Sequence, residues 1–224
     1  MPGRAGQISI LFFYMVPLLS YMAIFFVYPM YLLISYSLTD FSLQKLEINF
    51  VGLQNYLKIL TGRGLFYYMN QVVYTLVVTL SSLILGLGMA LLVNNLSKHK
   101  TLQRVFSALL MMPMLMMPTA IGVTWIFMYS EYYGPINHFL RAIGLFTKPW
   151  LSTPWSLWFV MISDIWGWTP FVYIIILAAL QQIDPSILDA AEIDGARGFR
   201  KLIHVTLPSI MPIIIILTSL KLID

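Results

Sequence analysis

Five stretches of this chain are long, apolar and nearly unbroken: residues 10–38, 67–93, 105–129, 153–180, and a shorter one that opens near Leu207. Such runs leave few folding solutions. A helix needs about 20 apolar residues to cross the hydrocarbon of a bilayer, and only helices or closed barrels satisfy their backbone there. The runs lack the in–out alternation of barrel strands, so the expected fold is all-α: a polytopic membrane protein with about five spans. Apolar residues make up 59% of the chain and charged residues 10%, a balance that excludes a soluble domain.

The first run is far longer than a signal-peptide core and has no small-residue cleavage site before a polar stretch, so it reads as an uncleaved span. Pro17 and Pro29 fall within it and imply kinks rather than breaks. In the second run Gly86 and Ala90 lie four apart on one helix face, a pair of small residues that lets a neighbouring helix approach closely. Gly86 and Gly88 form no dinucleotide loop, because they lie mid-span with no strand before them. The third run contains MMPMLMMP, Met111–Pro118, expected to make one pliable, kinked span whose methionines pack against lipid or core. The fourth holds Asp164 beside Trp166, Gly167 and Trp168. An ionisable group inside a span is costly and faces the bundle interior or a wet cavity, which makes Asp164 the candidate pathway residue; a purely structural pairing is the alternative.

Between the fourth and fifth runs, residues 181–206 concentrate seven charges: Asp184, Asp189, Glu192, Asp194, Arg197, Arg200 and Lys201. The cluster must lie outside the lipid. Asp184-Pro185 is a helix-start pair, since the carboxylate accepts from free N–H groups while Pro supplies the helical φ. The helix is expected to run through Ile193 and stop at Gly195, with a second helix from Arg197 to His204. On the first, Ile187, Ala190, Ala191 and Ile193 make a small apolar surface suited to a partner's groove. Pro208 and Pro212 mark a start or kink at the membrane surface.

The run Asp189-Ala190-Ala191-x-x-Asp194-Gly195-Ala196, with Leu207-Pro208 and Pro212 downstream, resembles the E-A-A-x-x-D-G-A…L-P-x-x-x-P loop of ABC importer permease subunits. Asp189 stands for the usual Glu, Leu202 for Phe and Val205 for Ile. Two shorter segments, Phe50–Tyr56 (FVGLQNY) and Tyr133–Leu140 (YGPINHFL), resemble loops of the carbohydrate-uptake type. The resemblance implies a cytoplasmic coupling helix that enters a cleft on an ATPase subunit. It also implies a second permease subunit, an ATP-binding cassette ATPase dimer and an extracytoplasmic solute-binding protein as partners. The solute would be a sugar or related carbohydrate, with a non-sugar solute or an ion-coupled secondary transporter as alternatives.

Organisation follows the same lines. Residues 1–66 are expected to form an N-terminal span and first outer loop, and 67–224 the permease core. The fifth run offers only 14 residues between Leu207 and Lys221, short of a crossing, and the resembling family continues beyond this point, so the core is expected to lack its C-terminal part. Short loops assigned to the inside (1–9, 94–104, 181–206) hold seven Lys and Arg against five in the outer loops (39–66, 130–152), which places the N-terminus in the cytoplasm of a multi-pass cell-membrane protein.

Several chemistries find no residues here. The chain has no cysteine, no G-x-x-x-x-G-K-[ST] phosphate loop, no H-E-x-x-H and no G-x-S-x-G, and its three histidines, His99, His138 and His204, lie in loops or at span ends. No catalytic residue or metal site is expected in this chain; ATP and Mg would belong to the partner ATPase. With no basic stripe interleaved with aromatics, the expected surroundings are membrane lipid rather than nucleic acid.

Overall fold

The computed structural model describes residues 4–44, 48–96, 99–152 and 154–223, with side chains described from Phe13 onward apart from that of Arg63. Lys45, Glu47, Lys98 and Thr153, which entered the loop and span assignments, lie outside the described residues. The described chain is helical, with one isolated antiparallel bridge between Thr39 and Phe50. It divides into two compact units, residues 1–70 and 71–224.

The first unit holds α1 (Arg4–Met22) and α2 (Tyr28–Ser37), joined by a π-helical turn at Ala23–Val27. The wider turn ends just before Pro29, where a regular helix would lose a hydrogen bond and clash with the preceding turn. The span from Phe13 to Ser37 is 25 residues long. Its end is fastened by the FVGLQNY segment, which turns into α3 (Gln54–Leu60). Asn55 Nδ2 donates to the carbonyls of Ser37 and Thr39 at 2.9 and 2.7 Å, and the Tyr56 and Ser37 hydroxyls meet at 2.7 Å. Those bonds satisfy carbonyls that the end of α2 leaves open.

The second unit is built on α8 (Ser156–Gln181), which packs against α4 (Arg63–Asn95), α5 (Lys100–Met111) and α11 (Leu207–Ile223). Its core joins Ala90 and Val93 of α4, Val172, Tyr173, Ile176 and Leu180 of α8, and Ile210 and Leu217 of α11. Lipid is as apolar as these side chains, so close fit rather than water exclusion holds the helices together. Gly86 shows how close: a Cβ there would lie 2.6 Å from Cγ1 of Val172. The small-residue pair thus has the packing role read from its spacing, with Ala90 fully buried one turn on. Ser107 of α5 and Tyr173 of α8 share a 2.6 Å hydroxyl bond across the interface.

Two expectations about the spans are corrected. The third is not one kinked helix: α5 continues as a 3₁₀ turn at Met112–Leu115, stops, and α6 (Pro118–Met128) leaves at 94°. Two prolines five residues apart explain the break, because Pro113 tightens the turn and Pro118 forces Met117 into an extended conformation, ψ 144°. The fifth span does not begin at Leu207. Helix runs from α10 (Gly198–Lys201) through a π turn, Leu202–Thr206, into α11, giving 26 continuous residues from Gly198 to Ile223. As in the first span, the π turn immediately precedes a proline, here Pro208, and lets the helix pass it. Among the described residues, four helices are therefore long and apolar enough to cross a membrane, and five if the broken pair is one span.

Beyond α6, α7 (Pro135–Ala142) carries the second loop segment. Asn137 is fully buried there, donating to the carbonyls of Ser130, Glu131 and Lys148 and accepting from the indole N–H of Trp150 at 2.8 Å. One amide thus gathers the loop between Ser130 and Trp150, and the Trp150 indole is part of that knot.

Candidate functional site

Two places in the second unit collect the residues singled out by sequence. The first is the loop between α8 and α11. Asp184 caps α9 (Pro185–Ile193), its carboxylate accepting from the Ser186 N–H at 2.9 Å. That bond holds the Asp184 carboxyl below its usual range. At the other end Gly195 N–H donates to Glu192 O at 3.1 Å and Ala196 N–H to Ala191 O at 2.8 Å, the paired bonds of a Schellman cap. The cap needs a left-handed residue, and Gly195 has φ +82°. α10 then starts after Arg197, so the chain makes a helix, a tight turn and a helix within 17 residues of Pro185.

Lys201 closes the loop by donating to Glu192 at 2.7 Å, and this bond and the nearby positive charge hold the Glu192 carboxyl below its usual range. Asp189 and Asp194 are exposed, and neither carboxylate has an ion-pair or hydrogen-bond partner among the described residues. Ala190 is exposed, Ala191 is buried against the returning chain and Ala196 is half-buried. Of the apolar surface expected on α9, Ile193 is 86% exposed and Ile187 48%, whereas Ala191 faces inward. Leu207 is half-buried and Pro208 exposed at the start of α11. The loop therefore offers an unpaired acid, a bare isoleucine and a fixed turn to whatever meets it.

The second place lies within the spans. Lys221 of α11 donates to both carboxylate oxygens of Asp164 on α8, at 3.0 and 3.3 Å, and Tyr74 of α4 donates to the same carboxylate at 2.8 Å. The Lys221 ammonium also sits 4.7 Å from the centre of the Trp168 ring. Lys221 is 6% exposed, while about a quarter of the Asp164 side chain remains open. The open part faces a cavity of about 470 Å³ lined by Tyr74, Met114, Met116, Trp168 and Phe171 as well as Asp164. A smaller one of about 260 Å³, lined by Gln71, Tyr74, Thr75, Asp164 and Lys221, adjoins the same acid.

Asp164 is thus paired across the bundle and also lines a cavity. Its partners Lys221 and Tyr74 escaped sequence reasoning. A signal existed, since an acid inside a span calls for a basic partner, but Lys221 was read as the end of a short run. The Met-rich segment is also relocated: Met114 and Met116 line the same cavity as Asp164, because the break in the span turns them away from regular helix packing. One stripe of α8 links the two places. Asp164, Trp168 and Phe171 line the 470 Å³ cavity, and Ile175 and Ala178, on the same face by helical spacing, line another of about 620 Å³ that reaches Asp184 and Ile187 of the loop.

Residues 82–224 match the protein family described as the binding-protein-dependent transport system inner membrane component. The trehalose/maltose transport system permease protein MalF of Thermococcus litoralis is 38% identical over 181 residues, 80% of this chain and 60% of its own. The probable ABC transporter permease protein y4oQ of Sinorhizobium fredii is 31% identical over 223 residues, covering 98% of this chain and 71% of the relative. The sn-glycerol-3-phosphate transport system permease protein UgpA of Yersinia enterocolitica is 29% identical over 203 residues, 88% of this chain and 66% of its own. The chain thus spans about 60% to 71% of the length of these relatives. A chain of a bacterial alginate ABC transporter, solved in complex with an alginate pentasaccharide-bound periplasmic protein, has the same fold, with a TM-score of 0.77 at 22% identity over 97% of this chain and 72% of its own.

Proposed function

Because the chain belongs to the family of inner membrane components of binding-protein-dependent transport systems, we propose that it is the permease subunit of an ATP-driven importer for a sugar or related carbohydrate. Its partners in that reading are a second permease subunit, two ATPase subunits that hold ATP and Mg, and an external solute-binding protein. The N-terminus and the 181–206 loop face the cytoplasm. The observation that carries the reading is the loop itself. A capped helix with an unpaired acid, a glycine turn and a returning helix stand between two spans, and the face of α8 that begins at this loop ends at a polar cavity wall.

The mechanism is alternating access. ATP-driven closure of the ATPases pushes on α9 through Asp189, Ala190, Ala191, Asp194, Gly195 and Ala196, with Leu207 and Pro208 carrying the push into α11. Because α8 and α11 share a packed core, displacement at the loop moves the cavity wall at Asp164. There the carboxylate and the Tyr74 hydroxyl offer hydrogen bonds to solute hydroxyls. The named solutes of the relatives, trehalose or maltose, glycerol phosphate and an alginate pentasaccharide, are all rich in hydroxyl or acidic oxygen.

The test is uptake into vesicles carrying this chain together with its partners. ATP inside should drive uptake and an ATPase should co-purify with the chain; uptake driven by an ion gradient with no ATPase attached would point to a secondary transporter instead. Orientation is checked separately, because a chain without cysteine takes single cysteines cleanly. A Thr206→Cys variant should resist an impermeant thiol reagent added outside intact cells, and labelling from outside would reverse the topology.

A further inference from the structure

Gln103, Arg104, Ser107 and Met111 share one face of α5 by helical spacing, and with Leu177 and Gln181 of α8 they line a groove of about 520 Å³. Its two ends differ in chemistry. Gln103 and Arg104, near the start of α5, meet Gln181, the last residue of α8, at one end, and Met111, Leu115 and Leu177 line the other. Arg104 and Met111 are about 10 Å apart along the helix at 1.5 Å per residue. Ser107 between them is engaged with Tyr173. The Arg104 guanidinium has no ion-pair or hydrogen-bond partner among the described residues, and Lys100 stands one turn before it on the same helix. A cation at the head of an apolar groove matches a molecule with an anionic head and a hydrocarbon tail. We propose that the groove between α5 and α8 binds an anionic phospholipid, with Arg104 pairing the phosphate and one acyl chain lying along Met111, Leu115 and Leu177.

The depth agrees. Gln181 closes a helix of 26 residues, long enough to cross, and the charged loop follows at once, so the polar end of the groove lies where a span leaves the hydrocarbon. Basic pockets between spans at that level are a recurring form of lipid-headgroup recognition. The guanidinium offers paired N–H donors to phosphate oxygens, and the amides of Gln103 and Gln181 can donate to the oxygens that remain. A hydroxyl-rich solute would leave the apolar end unmatched, and an apolar helix seated here would leave the guanidinium without a counter-charge. Placing the lipid in the inner leaflet rests on the proposed orientation, with residues 181–206 in the cytoplasm. Binding itself does not, and its test needs neither a known solute nor ATP, so the two can fail separately.

The test uses the chain assembled with its partners in phosphatidylcholine vesicles that carry a trace of photoactivatable lipid in both leaflets. The probe has a diazirine midway along one acyl chain and is made with either a phosphatidylglycerol or a phosphatidylcholine head. Crosslinked peptides are located by mass spectrometry, and labelling of residues 103–115 and 177–181 is divided by labelling of the rest of the chain, which reports passing lipid. The phosphatidylglycerol probe should give a ratio about fivefold higher than its counterpart, and Arg104→Gln should remove that excess, the effect of one cation beside an anionic headgroup. Arg104 is exposed, so the variant should still assemble, and Arg104→Lys should keep most of the excess. Unlabelled phosphatidylglycerol should displace the probe and inorganic phosphate should not. Equal ratios for the two probes, or parental labelling of Arg104→Gln, would overturn the proposal by leaving Arg104 an ordinary charge at the end of a span. Displacement by inorganic phosphate would overturn it in favour of a phosphate site. An unlabelled groove in a chain labelled elsewhere would also overturn it, by showing that a partner subunit covers the groove.

Discussion

The loop at residues 184–206 and the polar wall at Asp164 are two charged features of the second unit, and they are built by opposite means. The hydrogen bonds that shape the loop join residues within ten positions of each other: Asp184 with Ser186, Gly195 with Glu192, Lys201 with Glu192. Its charges are exposed apart from the half-buried Lys201, so each bond is individually weak and the shape depends on backbone geometry. The wall joins residues 57 and 90 positions apart, on helices held in register by a shared core, and its charges are sheltered. Exposed local structure can lose one side-chain bond at little cost. Removing the base from a sheltered long-range pair takes the counter-charge away from the acid.

The largest expected effect is therefore at the wall. Lys221→Met should destabilise the chain by roughly 3 kcal/mol or more, the usual result of stranding one member of a sheltered pair, and should lower its level in the membrane. Adding Asp164→Asn should recover most of the loss. Thermal denaturation of the single and double variants in detergent checks this. A single variant as stable as the parent would put the wall in the same weak class as the loop.

Next comes the packing that holds the wall in place. Gly86→Leu drives a side chain into Val172 and should cost roughly 1–3 kcal/mol. Gly88→Leu, two positions on, where a Cβ would meet nothing within 4 Å, should change stability far less. Equal effects on the denaturation midpoint would show that α4 and α8 do not approach as closely as described.

The smallest effect is at the loop's own ion pair. Glu192 has its carboxyl held down by Lys201, so the contact contributes fully above the ordinary glutamate range and is lost as pH falls through the lowered value. Amide exchange in residues 185–201, corrected for its intrinsic pH dependence, should therefore rise between about pH 6 and about pH 3, and Glu192→Gln should flatten that rise. The exposed pair adds little to global stability, so the denaturation midpoint of Glu192→Gln should match the parent's.

The same contrast explains what was legible in the sequence. The loop could be read residue by residue because Asp184, Pro185 and Gly195 act on their immediate neighbours, and the structure has α9 ending at Ile193 as the spacing predicts. The spans were legible as apolar lengths, and the Gly86–Ala90 pair as a place of close approach. What could not be read was whatever depends on a distant partner. Asp164 stood out, yet Tyr74 and Lys221 did not, since nothing near either in sequence says which helix it will face. Asn137 likewise gives no local hint that it will gather Ser130, Lys148 and Trp150. The third and fifth spans were misjudged for a different reason. Proline marks a disturbance in a helix but does not say whether the chain will break, as at Met117, or absorb it in a π turn, as before Pro208.

The central claim is that the loop transmits the work of an ATPase to the spans, and it is tested most directly by two variants that leave the spans intact. Gly195→Val places a β-branched residue at φ +82°, costing roughly 1 kcal/mol or more locally without any clash, because nothing lies within 4 Å of the site. Asp189→Ala removes one of the loop's two unpaired acids, and Asp189→Glu, which lengthens it, should behave as the parent does. Co-purified ATPase and ATP-driven uptake are measured together for all three at equal membrane levels. The account predicts that Gly195→Val and Asp189→Ala lose the ATPase or separate its turnover from uptake. Normal uptake by both would contradict it.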